Sequence, residues 1–384
     1  MNKRLTVSFI FSIMIVSNLL TTLVLLNQVI LPISSTFLHS DERLQSAVGS
    51  SCALRKLYNE HKETHLQEHT RPPSNEKDRL NLFLKEIKAI LELRANTEIK
   101  WKVGLNFMAD FTEKEHDSLK GTGKNTSISD KNIQSYFEKN AKRSVFTAPE
   151  EFDEWRNNDM IGEVQDQKKG SCWAHAAVVP LEAQLAFYKG KFQRLSVEEL
   201  YNCVYAGKVP NGGCPRQAFD YVQASGRLGT WEESKETYEF PIPIFKTKCK
   251  GYDKKANALE GYHITSNSWV ASPQVLEEKL VCVGPVTISM GGYALTKHYK
   301  SGIFTVLKDK WCEKIDHSMA IVGYNKDAYI IRNSWGTSWG EEGYLYFNRK
   351  GPFCSYFQDE DVRAAKLQDK NEQFGRTPCR WPQA

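Results

Sequence analysis

Two kinds of periodicity follow one another in the second half of this 384-residue chain, and their order limits the fold more than any other feature. Residues 172–225 carry a helical pattern that opens on the apolar, Ala-rich run CWAHAAVVPLEAQLAFY. From Tyr262 onward the short runs PVTISM, AIVGY, AYIIRN and GYLYF read as strands. A helix-rich block followed by a strand-rich block implies an α+β fold with two lobes. With 11% aromatic residues the chain can afford a sizeable core, and no internal repeat interrupts it.

The regions before that block differ in kind. After Lys3 and Arg4 no charged residue appears until Asp41. The run from Leu5 to Leu31, although it contains Asn18, Asn27 and Gln28, exceeds the ~7–15 residues of a secretory apolar core and meets the ~20 needed to span a bilayer. Residues 1–38 are therefore expected to be a type II signal-anchor, with the N-terminus cytoplasmic and the rest of the chain in the secretory pathway. Residues 39–147 are polar, rich in Lys and Glu, and helical in pattern, with Leu80, Phe83, Ile87, Ile90 and Leu91 on one stripe. GTGKNTSISDKN (121–132) reads as a flexible linker and holds a glycosylation sequon at Asn125. From 148 the composition becomes that of a globular domain, with a loose polar tail expected from about 363.

Charge and cysteine usage narrow the chemistry. A net charge of +5, dispersed along the chain, gives no basis for nucleic acid binding. The nine cysteines mostly avoid CxxC spacing, which favours disulfides and an oxidising compartment over zinc. No metal or cofactor is implied.

GSCWA (170–174) places Cys172 at the start of the Ala-rich helical run, where the positive end of a helix dipole lowers a thiol's pKa. A buried structural cysteine needs no such setting. A nucleophile also needs a base and a group to orient it. His317 stands at the mouth of a strand pattern in KIDHSMAIVGY, and Asn333 enters a Trp/Gly-rich turn in AYIIRNSWGTSWGEEGY. A lone histidine is more often structural, and NSWG alone could be a tight turn. Cys, His and Asn together supply nucleophile, base and orienter.

With these motifs, residues 150–362 resemble the papain-like cysteine peptidases of the cathepsin L type, and residues 39–147 resemble their inhibitory propeptide. The resemblance implies a helical left lobe and a barrel-like right lobe with the active-site cleft between them. It assigns Cys172 as nucleophile, His317 as acid/base, Asn333 as the partner of the imidazole and Trp335 as its shield from water. Gln167 would join the Cys172 backbone N–H in the oxyanion hole. NGG (211–213), with Gly212 and Gly213, would pair with substrate backbone, and Asp316 would lie beside the substrate. The S2 pocket would be walled by Cys214, Pro215, Ser289, Ile315 and Ser318, with Asp359 at its floor, where an acid admits a basic P2 residue. Cys203 would pair with Cys249, and Cys312 with Cys354. In the propeptide, Arg79, Phe83 and Ile90 match one family motif, and Gly104, Asn106 and Asp110 a second, in a segment that lies backward across the cleft. The expected partners are protein and peptide substrates, the chain's own propeptide, cystatin-type inhibitors and a membrane. An acidic lysosome- or vacuole-like compartment is implied by the same resemblance.

Several positions depart from the family. Glu86 and Arg94 stand where the propeptide helix usually carries asparagine, and Met108 where Phe is usual. Four residues separate Gln167 from Cys172, one fewer than the norm, and His175 replaces the usual Phe. Pro180 falls inside the helix. Both members of a third family disulfide are absent, with Pro210 at one position, which leaves Cys52, Cys214, Cys282 and Cys379 unassigned. The leading expectation is a zymogen of an endopeptidase. The alternative is a binding protein of the same fold whose short oxyanion loop has disarmed it.

Overall fold

The computed structural model describes residues 40–65, 75–119, 121, 146–167, 170–204, 212–231, 249, 256–270, 272–291, 297–307, 315–351 and 362–370. The apolar run 5–31, Asn125, Cys312, Cys354, Asp359 and Cys379 lie outside them. No helix among the described residues is long and apolar enough to cross a membrane.

The polar front region folds as a small helical unit. Helices α1 (Asp41–Gly49) and α2 (Ser51–His65) pack with α3 (Glu76–Ala95). Asn75 caps α3 by accepting from the Lys77 N–H, while Glu76 and Asp78 in its first turn and Arg94 in its last complement the dipole. Phe83, Ile87 and Ile90 are fully buried, and Leu80 and Leu91 pack partly buried beside them. Arg79, itself buried, forms a two-pronged ion pair with Glu115 (2.6 and 2.5 Å) in α4 (Glu113–Leu119). This fork fixes α4 against α3.

The front unit is docked on the globular domain through backbone. Strand β1 (Lys102–Val103) pairs antiparallel with β4 (Tyr299–Ser301), and the Gly104 N–H donates to the His298 carbonyl at 3.0 Å. Beside this ladder, buried Glu86 accepts from Lys297 Nζ (2.5 Å) and contacts His298 Nδ1 (2.8 Å).

After the short α5 (Glu154–Asn157), the globular domain divides into two lobes. The first holds α6 (Cys172–Lys189), α7 (Val197–Cys203) and α8 (Pro215–Ser225), packed around Trp173, Leu181, Leu200 and Phe219. Every residue of α6 from Cys172 to Ala186 is buried, so the helix is the wall between the lobes, and it ends on Gly190 in the left-handed region. Pro180 is accommodated inside it, and its carbonyl accepts from Gln184 Nε2 (2.9 Å).

The second lobe is a five-stranded sheet in the order β3 (Val286–Met290), β6 (His317–Tyr324), β7 (Ala328–Arg332), β8 (Tyr344–Asn348), β5 (Ile303–Phe304). Its neighbours are antiparallel except β5–β8. All eight residues of β6 are buried, because α6 covers the sheet there. Helix α9 (Pro273–Cys282) precedes β3.

One expectation is overturned. The loose tail from about 363 does not begin there: Arg363–Asp369 is strand β9, paired antiparallel with β2 (Tyr262–Trp269) and burying Ala364, Ala365 and Leu367. Alanine has little strand preference of its own, so the pairing depends on a partner some hundred residues away.

Candidate active site

Cys172 is the first residue of the 18-residue helix α6, so its sulfur stands at the positive end of a long dipole. His317 begins β6, and Asn333 directly follows the end of β7. Because these strands are antiparallel neighbours, the start of one lies beside the end of the other. His317 Nε2 and Asn333 Oδ1 are 2.8 Å apart. A carboxamide oxygen only accepts, so Nε2 carries the proton and Nδ1 is the nitrogen able to take up another. Asn333 Oδ1 also accepts from the Ser334 N–H (2.8 Å), and the Trp335 ring covers His317 with centroids 4.4 Å apart.

Gln167 is held from both ends. Its N–H donates to the Ser334 carbonyl (2.8 Å), and its Oε1 accepts from Ser334 Oγ (2.5 Å). With the oxygen occupied, Nε2 can point only as a donor, and it donates to the Leu119 carbonyl at 2.8 Å. Nothing in the sequence pattern marks Ser334 for this role beyond its place in NSWG.

The cleft is filled by the chain's own backbone. The Gly121 N–H donates to the Asp316 carbonyl (3.1 Å), and the Gly121 carbonyl accepts from the Gly213 N–H (2.5 Å). A Cβ on Gly121 would lie 2.5 Å from Cys172 Sγ, so only glycine allows the chain to pass this close. Gly121 therefore does not belong to the flexible linker that its composition implies. Leu119 reaches Gln167 and Gly121 reaches Gly213, which fixes the direction in which this segment crosses the site.

The other predicted positions cluster nearby. Gly212 has φ 147°, and a Cβ on Gly213 would lie 2.5 Å from the Trp173 ring, so both glycines are sterically required. Cys214 and Pro215 open α8, both buried, and Cys214 Sγ lies 3.3 Å from Gln217 Oε1. Ser289 and Ser318 face each other across β3 and β6 with hydroxyls 2.9 Å apart, and Ile315 is buried just before β6. Asp359 lies outside the described residues.

Cys203 and Cys249 are joined by a disulfide, and Cys282 is also disulfide-bonded. Cys52, Cys172 and Cys214 are not disulfide-bonded. Among the described residues no group of three His, Cys, Asp or Glu side chains is arranged to hold a metal ion.

Burial dominates the electrostatics of this closed site. It pushes the Cys172 thiol up to about 12 despite opposing hydrogen bonds from backbone N–H groups. It pushes His317 down to about 4, against the Asn333 hydrogen bond and the charge of Asp316. With Leu119 and Gly121 lying over the site, burial keeps both the Cys172 thiol and the His317 imidazole neutral.

Residues 148–362 match the family model described as papain family cysteine protease. The chain is 30% identical over 286 residues to cysteine proteinase COT44 of Brassica napus, covering 71% of this chain and 82% of the relative. It is 30% identical over 314 residues to a cathepsin L-like proteinase of Phaedon cochleariae, covering 78% and 90%. In structure it is similar to digestive procathepsin L 3 of Tenebrio molitor, with TM-score 0.62, 22% identity and coverage of 82% and 98%. The proform of the ragweed pollen allergen Amb a 11 gives TM-score 0.64, 24% identity and coverage of 87% and 98%. At those identities the two structures show the fold. With a family match over more than half its length and curated relatives at 30% identity, this chain belongs to the papain family of cysteine proteases.

Proposed function

We propose that the chain is the zymogen of a cysteine endopeptidase, in which Cys172 attacks the peptide bond and residues 39–147 hold the cleft shut until they are removed. One observation carries this reading: a stretch of backbone already occupies the cleft as a peptide would. Its carbonyl at Leu119 takes the Gln167 amide, and Gly121 bridges Asp316 and Gly213 over the thiol. A cleft that binds backbone through three separate polar groups suits peptide substrates of varied sequence.

The chemistry follows from the roles. In the opened site the Cys172 proton moves to His317 Nδ1, and the thiolate attacks the scissile carbonyl carbon. The carbonyl π electrons move to oxygen, where Gln167 Nε2 and the Cys172 N–H stabilise the charge. Collapse expels the amine, which takes the proton back from His317, and a thioester remains on Cys172. Water, deprotonated by His317, attacks the thioester, and the acid product leaves as the thiol re-forms. Asn333 keeps the imidazole in the plane that serves both steps.

The apolar run 5–31 and the cysteine usage support export, tethered by the N-terminal segment, and the resemblance to cathepsin L-like peptidases implies an acidic compartment. Asp359 is the residue we assign to P2 selection. The alternative, a binding protein disarmed by the short Gln167–Cys172 loop, is disfavoured by the anchoring of Gln167 at both ends. Peptide hydrolysis by protein freed of residues up to about 147, measured beside Cys172→Ala, tests the proposal. Turnover lost in the variant supports it, and a folded, mature protein without turnover overturns it.

A further inference from the structure

Arg332 is the last residue of β7, directly before Asn333, and it is only 5% exposed. A buried charge needs partners of fixed geometry. Arg332 finds them in the stretch that leads to Gln167: Nη1 donates to the Gly162 carbonyl and Nη2 to the Glu163 carbonyl. The far end of that stretch is held two residues beyond Arg332, where the Ser334 carbonyl accepts from the Gln167 N–H (2.8 Å). Between these ties the Gly336 N–H donates to the Gln165 carbonyl (3.0 Å), and Asp166 bridges Trp335. Residues 162–167 are thus fastened at both ends to residues 332–334.

The first lobe meets the same point. Arg194 Nη2 also donates to the Glu163 carbonyl (3.2 Å), so one carbonyl joins a guanidinium from each lobe. A Cβ on Gly162 would stand 2.3 Å from the Phe192 ring, which packs directly on this backbone. Glu182, buried on α6, holds the residue after Arg194 by accepting from the Leu195 N–H (2.8 Å). Burial pushes the Glu182 carboxyl up to about 7, against the pull of that N–H and of the charges on Arg332 and Arg194.

We propose that Arg332 is a positioning residue for the oxyanion donor: its fork on Gly162 and Glu163 sets the path of residues 162–167 and so the place of Gln167 Nε2. The connection from Gln167 to Cys172 is one residue shorter than the family norm, which makes the hold on the preceding stretch decisive. A displacement of about 1 Å at such a site can cost roughly a hundredfold in rate. Charge alone does not supply this hold, because lysine is a point donor that cannot fork over two carbonyls. The effect runs through Gln167 and not through the imidazole. Asn333 has its own support: its N–H donates to the Gly343 carbonyl (3.0 Å), and its Oδ1 is held by His317 and the Ser334 N–H.

The inference rests on the peptidase reading only for its kinetic consequence, and its first test needs no substrate. Hydrogen exchange in the intact chain is expected to show the amides of 162–167 exchanging about tenfold faster in Arg332→Lys than in the parent. In the chain freed of residues up to about 147, Arg332→Lys should lower kcat about tenfold with little change in KM, short of the 10²–10³ lost with a whole oxyanion donor. Added to Gln167→Ala it should cost no more than about twofold, because both changes act on one donor. Alkylation of Cys172 by iodoacetamide builds no charge on a carbonyl oxygen, so its rate should stay within about twofold of the parent. If Arg332→Lys does not fold, Arg194→Ala, which leaves the Glu163 carbonyl paired with Arg332, should give the same pattern at about threefold. Unchanged exchange, an undiminished loss in the Gln167→Ala background, or alkylation that falls with kcat overturns the proposal. Faster exchange in the variant of a protein that hydrolyses no peptide supports the clamp and counts against the peptidase reading alone.

Discussion

At the scale of single residues, the site is defined less by the reacting atoms than by what holds them. Gln167 is aimed by Ser334 at one end and backbone at the other. Gln167→Ala should lower kcat by about 10²–10³, the usual cost of one oxyanion donor, with a smaller change in KM. An unchanged kcat would mean that the short loop has moved the oxyanion pocket away from this side chain. Gly121 makes the opposite kind of prediction. Because a Cβ there would stand 2.5 Å from Cys172 Sγ, Gly121→Val should weaken the block and leave the uncleaved protein partly reactive. Labelling of the intact variant by a small thiol reagent, compared with the parent, measures this; equal rates would show that the segment yields without losing its hold.

The elements show what a sequence can and cannot disclose. The helix of 172–189 and strands such as Val286–Met290 and His317–Tyr324 are legible because their pattern is local and their residues are buried almost throughout. Cys172, His317 and Asn333 are legible for a related reason: each opens or ends such an element. Strand β9 is not, since Ala364 and Ala365 gain their reason to pair only from Ser268 and Asn267 across the sheet. Gly121 reads as linker because nothing local says that a thiol lies beneath it. The docking of β1 on β4 yields a prediction of its own. Glu86 is buried, which alone would raise its pKa, but His298 and Lys297 outweigh this and hold it below the ordinary carboxylate value of 4.5. A depressed carboxylate contributes to docking above about pH 4.5, and that contribution is lost as pH falls through its lowered value. Release of the front unit should therefore accelerate below about pH 4.5, and Glu86→Gln should release faster at neutral pH with a flatter pH dependence. Release followed by size-exclusion chromatography across pH tests this, and an unchanged profile in the variant would assign the acid response to other groups.

For the whole molecule, one chain supplies both the cleft and the backbone that fills it. The front unit is fixed to the sheet lobe by β1–β4 pairing and by Glu86, and its last described residues end over Cys172. Closure keeps the thiol and imidazole neutral by excluding water, so removal of the front unit should do two things together: expose the cleft and let the thiolate–imidazolium pair form. The most direct measurement is intact mass after exposure to an epoxysuccinyl cysteine-peptidase inhibitor, at one pH, for the intact chain, the chain freed of residues up to about 147, and its Cys172→Ala variant. A single adduct in the freed chain, slow or absent in the intact chain and missing in the variant, is the result expected here. No adduct in freed protein shown to be folded would contradict the account and leave a papain-family domain that binds peptides without cutting them.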